Sequence, residues 1–208
     1  YVNAPALLHQ EPSMISVLLR DYAARHPIEV LSRLEPPETP PQGVTWRTLT
    51  GVEMEAAWSA ARVEKQVDEA LCRRVPLPGG GSLIIDEREA LTTIDVNSGS
   101  AVTAAGGETL AVEENLRAAA EAARQIRLRN LSGILLIDFI DMQSDADRGR
   151  VLAAMEQAAS DDRVKTVIHG FTSLGLLEMT RKRTRDTLSD TLTQPCDACH
   201  ATGRVRRD

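Results

Sequence analysis

An α/β fold built on a mixed sheet is what this sequence predicts, and three observations carry the prediction. Turn residues at Gly79-Gly80-Gly81 and Asp86-Glu87-Arg88 separate short apolar runs, which is the punctuation of a β-meander. Leu116, Ala120, Ala123 and Ile126 recur at helical spacing between Glu108 and Arg129. The next run, Gly133-Ile134-Leu135-Leu136-Ile137, is apolar without a break, which predicts a strand buried on both faces of the sheet. With 208 residues, 42% of them hydrophobic and 26% charged, the chain has the composition of a soluble globular protein with one compact body plus appendages.

The elements follow in order. Ser13, with Met14, Val17, Leu18 and Tyr22 after it, reads as a capped amphipathic helix ending near His26-Pro27, and Ile28 to Leu34 as a short strand. Glu35 to Gly43 holds four prolines and continues neither element, so it is a surface loop. Val52 to Val75 lacks Gly and Pro and carries Ala56, Ala60, Val63, Val67 and Leu71 as one helical stripe. The meander then runs through Val75 to Pro78, Ser82 to Asp86 and Ala90 to Val96. Beyond Gly106-Gly107 come the long helix and the apolar strand already described. Ser144-Asp145-Ala146-Asp147 opens a further helix with Val151, Met155 and Ala158, and Lys165 to His169 is the next strand. There is no internal repeat.

Charge narrows the choice of partner. The net charge is −6, yet residues 1–120 hold 10 Lys and Arg against 17 Asp and Glu, while residues 121–208 hold 14 against 13. Within the second part the cations cluster at Arg124, Arg127 and Arg129, at Arg163 and Lys165, at Arg181, Lys182, Arg183 and Arg185, and at Arg204, Arg206 and Arg207. Such clusters can meet phosphates locally, or they can be solvated helix faces and a tail. No apolar run reaches the length of a membrane span and the start does not resemble a signal peptide, so a cytoplasmic protein without a membrane partner is expected.

Two strand ends carry the chemistry. Thr93-Ile94-Asp95-Val96-Asn97 places Asp95 and Asn97 on one face of its strand, and Leu136-Ile137-Asp138-Phe139-Ile140-Asp141 ends the apolar run on a carboxylate. Two carboxylates held by a rigid sheet can ligate magnesium, which keeps several waters and takes one or two protein carboxylates, with Asn97 left to hold a substrate oxygen. Asp and Asn also terminate strands and form turns for purely structural reasons. The four histidines stand in no motif, and no phosphate-binding glycine loop or serine elbow is present. Cys196-Asp197-Ala198-Cys199-His200 matches haem attachment, a redox pair and a zinc knuckle. Two thiolates leave a structural zinc site two ligands short, to be supplied by His200 and another group of this chain or by a second copy.

Several long words together resemble the RNase E/G endoribonuclease family. They are Ala90 to Asn97, Glu113-Glu114-Asn115-Leu116, Arg124 to Leu131, Ile137 to Met142, Asp162 to Thr166, Leu174 to Arg185 and Cys196 to Gly203, with wording closer to the RNase G branch. The resemblance implies a DNase-I-like catalytic subdomain over residues 71–186, preceded by part of an RNase H-like subdomain over 1–70 and followed by a zinc-link tail over 187–208. It implies that Asp95 and Asp138 bind Mg2+, that Asn97 positions the scissile phosphate, and that water attacks single-stranded RNA to leave a 5′-phosphate and a 3′-hydroxyl. It further implies a homodimer in which Cys196 and Cys199 share one Zn2+ with the partner protomer. Arg163, Lys165, Arg181, Lys182, Arg183 and Arg185 are the expected RNA-phosphate contacts.

The S1 domain, 5′-end sensor and small domain of the family have no counterpart in the matching words. The loop Ser98 to Ala105, where the family often places basic residues, has none. With only six aromatic residues, no base-stacking platform is expected. A catalytically weak RNA-binding or assembly module that keeps the fold is the rival expectation.

Overall fold

The computed structural model describes Leu19, Ala23 and residues 26–36, 41–99 and 107–199. The chain packs as two units, Tyr1–Lys65 and Gln66–Asp208. Of the helix expected from Ser13, only Leu19 and Ala23 are described, and both are helical. The rest of that helix lies outside the described residues.

In the first unit, β1 (Ile28–Ser32) pairs in parallel with β2 (Val44–Thr48), from Ile28 opposite Val44 to Ser32 opposite Thr48. The strand β2 is an addition to the sequence reading. Helix α1 (Gly51–Ala60) starts on a complete capping box: the Thr50 hydroxyl accepts from the Glu53 N–H, and the Glu53 carboxylate accepts from the Thr50 N–H at 2.8 Å. The single helix expected from Val52 to Val75 is instead two. Arg62 adopts φ +52 and ends the first, α2 (Val63–Leu71) follows, and the chain is extended again from Arg74. The stripe residues Ala56 and Ala60 are exposed.

The second unit holds a six-stranded mixed sheet with strands β3 (Arg74–Pro76), β4 (Ser82–Glu87), β5 (Thr92–Asn97), β6 (Gly133–Asp138), β7 (Thr166–Phe171) and β8 (Leu177–Arg181), in the spatial order β3-β4-β5-β6-β8-β7. The expected meander is β3-β4-β5, antiparallel throughout. Strands β5 and β6 are parallel, so the chain must cross back between them, and α3 (Gly107–Leu128) makes that crossing. Helix α4 (Asp145–Ala159), capped by the Ser144 hydroxyl accepting from the Ala146 N–H, connects β6 to β7. A short helix α5 (Leu188–Leu192) follows β8.

Both long helices lie on the same side of the sheet. Ala118, Ala119, Ala122 and Ala123 are fully or almost fully buried, and their small side chains let α3 approach Leu83, Ile94, Val96, Leu135 and Ile137 closely. Within this unit, no described helix forms a layer over the opposite face. That corrects the expectation for β6: Leu135 and Ile137 are buried, but Ile134 is 45% exposed and Leu136 only half-buried, so the strand is covered on one face. The run is apolar throughout because Ile134 and Leu136 bring apolar side chains to the open face as well. No helix among the described residues is long and apolar enough to cross a membrane.

Candidate active site

Strand register builds the site. Asp95, two residues before the end of β5, stands directly opposite Asp138, which closes β6, and neighbouring strands lie about 4.8 Å apart, so the two carboxylates leave the sheet side by side. Both are exposed on the open face. Asn97, two residues on, shares that face, and its Nδ2 donates to Asp95 Oδ2 at 2.6 Å.

The turn after Asp138 is fixed from beneath. Asn115, fully buried on α3, donates Nδ2–H to the Ile140 carbonyl at 2.8 Å and accepts the Ile140 N–H on Oδ1 at 3.0 Å. Phe139 and Met142 are buried on either side of that clamp, and Arg148 donates to the Met142 carbonyl at 2.8 Å. Asp138 and Asp141 are thereby held on short spacers from buried residues.

Burial, then the charge of Asp95, then that of Asp141, push the Asp138 carboxyl above the usual carboxylate range. A cation between the two aspartates would remove the repulsion between them, and a pair of oxygen donors suits a hard divalent ion. No group of three or more His, Cys, Asp or Glu suited to a metal occurs among the described residues.

Beside Asp95 is a cavity of about 530 Å³ lined by Arg73, Arg74, Ser82, Ile84, Asp95, Asn97 and Ser98. Arg73 is committed to Asp86, donating from Nε at 2.7 Å and from a terminal nitrogen at 2.6 Å. These two arginines and Asn115 are the residues that sequence reasoning missed as contributors to the site. The meander register was the signal for the arginines, since Arg74 faces Ile84 and Ile84 faces Asp95.

The expected RNA-phosphate residues divide. Arg163, Lys165, Lys182, Arg183 and Arg185 are exposed. Arg181 is not: it is 5% exposed, donates to both Asp162 oxygens at 2.7 and 3.3 Å, and reaches Asn130 Oδ1 at 2.8 Å and the Leu131 carbonyl at 3.0 Å. Its place at an inward position of β8 makes it a structural cation, which corrects the expectation of a phosphate contact. Arg129 is likewise buried, donating to Gln125 Oε1, and Arg127 donates to the Ala158 carbonyl at 2.6 Å.

Asn130 ends α3 in the left-handed conformation, with Leu131 N–H to Ile126 C=O and Asn130 N–H to Arg127 C=O, and its amide donates to the Arg185 and Asp186 carbonyls. At the far end of the described chain, backbone hydrogen bonds from Cys199 and then Ala198, followed by the Cys199 side chain, hold the Cys196 thiol below its ordinary pKa. His200 lies outside the described residues.

The sequence model of the Ribonuclease E/G family matches residues 2–184. The chain belongs to that family. Among curated ribonuclease E/G relatives, Ribonuclease G of Escherichia coli (strain K12) is 49% identical over 144 residues, covering 69% of this chain and 29% of that protein. A chloroplastic ribonuclease E/G-like protein of Arabidopsis thaliana is 41% identical over 145 residues, 69% of this chain and 14% of its own length. Ribonuclease E of Haemophilus influenzae is 36% identical over 214 residues, 98% of this chain and 23% of that protein. The chain thus spans less than a third of the length of these relatives.

Proposed function

We propose that this chain is the catalytic core of a magnesium-dependent endoribonuclease acting on single-stranded RNA. The observation that carries the reading is the pairing of Asp95 with Asp138 on adjacent parallel strands, with Asn97 on the same face. Relatives named ribonucleases support the substrate class. Asp95 and Asp138 hold the cation. Mg2+ bound there supplies an activated water and neutralises charge on the phosphate.

Asn97, already a donor toward Asp95, is placed to orient a phosphate oxygen. Water oxygen bonds to phosphorus, the bond from phosphorus to O3′ breaks, and O3′ takes up a proton, leaving a 5′-phosphate and a 3′-hydroxyl. Residues 71–186 form the DNase-I-like part in this reading and 1–70 part of an RNase H-like one. Cleavage of an unstructured RNA in magnesium, halted by chelator and absent in Asp95→Asn, is the expected result; a wild-type chain that binds RNA without cutting it would sink the reading.

One observation favours the rival, a catalytically weak RNA-binding or assembly module: Ser98 to Ala105 offers no cation for the phosphate. The same cleavage assay decides between them.

Cys196 and Cys199 form half of a tetrahedral zinc site completed by a second protomer, and the lowered Cys196 pKa favours the thiolate that zinc requires. Metal content measured alongside solution mass tests this. One zinc ion per dimer, with dissociation on chelation, is expected, whereas one zinc ion per monomer would assign the missing ligands to this chain.

A further inference from the structure

The loop after Asn97 holds no cation, but an arginine stands two strands from Asp95 in the same sheet, on the edge strand β3. Arg74, Ile84, Asp95 and Asp138 are register partners across β3, β4, β5 and β6, so all four belong to one row on one face. Arg74 is two strand steps, about 10 Å, from Asp95, a span that an extended arginine side chain largely covers. It is exposed, and the register position between it and Asp95 is Ile84, which is half-buried and has an apolar side chain.

The two cavity arginines differ in what they are free to do. Arg73 spends its Nε and one terminal nitrogen on Asp86. The Arg74 guanidinium has no hydrogen-bond or ion-pair partner among the described residues. β3 is three residues long and lies at the sheet edge, with no strand paired to its outer side among the described residues. A planar guanidinium without a partner among the described residues, lining the same cavity as Asp95 and Asn97, is matched to a tetrahedral oxyanion bound beside them.

We propose that Arg74 binds a phosphate of the RNA strand beside the Asp95–Asp138 pair, supplying from β3 the positive charge that the loop after Asn97 lacks. The proposal rests on the nuclease reading and extends it to a substrate contact. Because the contact is to phosphate, it is independent of base sequence and sensitive to salt.

The test compares wild type, Arg74→Gln, Arg74→Lys, Asp95→Asn and Arg150→Gln. The last removes a cation from α4, on the other side of the sheet. Cleavage of a short oligoadenylate is measured in magnesium, and binding of the same oligoadenylate in calcium across a salt series. Arg74→Gln is expected to lower kcat/KM by about tenfold or more and to flatten the slope of log affinity against log salt by about 0.7. Arg74→Lys should keep the slope and recover part of the rate, and Arg150→Gln should match wild type. The thermal midpoint of Arg74→Gln should be unchanged, because the side chain is exposed and unpaired.

If Arg74→Gln has wild-type rate and salt slope while Asp95→Asn is inactive, the nuclease reading stands and the Arg74 contact is wrong. If wild type binds without cutting but Arg74→Gln still flattens the slope, the contact stands and the nuclease reading is wrong. Failure of wild type to bind or cut RNA overturns both.

Discussion

The two faces of the six-stranded sheet share every backbone hydrogen bond and almost nothing else. One face is sealed by α3 and α4 over Leu83, Ile94, Leu135, Ile137 and Met179, all fully or almost fully buried. The other carries Asp95, Asn97, Asp138 and Arg74 into solvent. Alternation along a strand puts the two roles one residue apart, so Ile137 holds the fold while its neighbour Asp138 is free for chemistry. The division predicts that damage to one face shows in stability and damage to the other in turnover.

The sharpest separation is expected from Asp95→Asn. Loss of this proposed cation ligand should remove several kcal/mol of transition-state stabilisation, about 10³-fold in kcat, while denaturant unfolding stays near wild type. A comparable loss of stability would mean that the open face is part of the scaffold after all. Arg181→Ala should do the reverse: deleting the guanidinium strands buried Asp162 and Asn130, at a cost of about 3–5 kcal/mol read from urea unfolding. An unchanged midpoint would return Arg181 to the set of available cations. Ile137→Ala, which only opens a cavity under α3, should cost about 2–5 kcal/mol.

Smaller effects refine the comparison. Neutralising exposed Arg163 and Lys165 together should flatten the salt dependence of RNA binding by about 1.4, two contacts at about 0.7 each, and weaken all single-stranded sequences alike. The smallest effect has an unusual sign. The Asp138 carboxyl titrates above its unfolded value, so in the window between the two the native state holds more protons and stability falls as pH rises. Asp138→Asn should therefore be slightly more stable than wild type at pH 7 in chelator, on the order of a few tenths of a kcal/mol given solvent screening. That gain should vanish as pH falls toward about 4. A less stable variant at pH 7 would show that the charge is compensated.

The meander and α3 were legible because glycine turns and an apolar period of about 3.6 residues are local signals. Strand β8 was hidden: Leu177 and Met179 alternate correctly, but the third inward position is Arg181, which reads as surface until its partner Asp162 is known. The break at Arg62 had no glycine or proline to announce it. In the site, Asp95 and Asp138 were visible as acids ending apolar runs. Asn115 and Arg74 were not, because one acts on a backbone 25 residues away and the other through the register of three strands.

The Asn115 clamp has a bearing on how the site responds to its environment. By offering one donor and one acceptor to Ile140, the side chain imitates a neighbouring strand, so the turn beyond Asp138 receives a substitute for sheet pairing from a helix. Its order is then carried by amide chemistry insensitive to ionic strength, and little conformational entropy is left to lose when a cation arrives. The Ile140 amide should accordingly rank among the slow exchangers in deuterated solvent, equally in chelator and in magnesium, marking a site whose shape precedes its ligand.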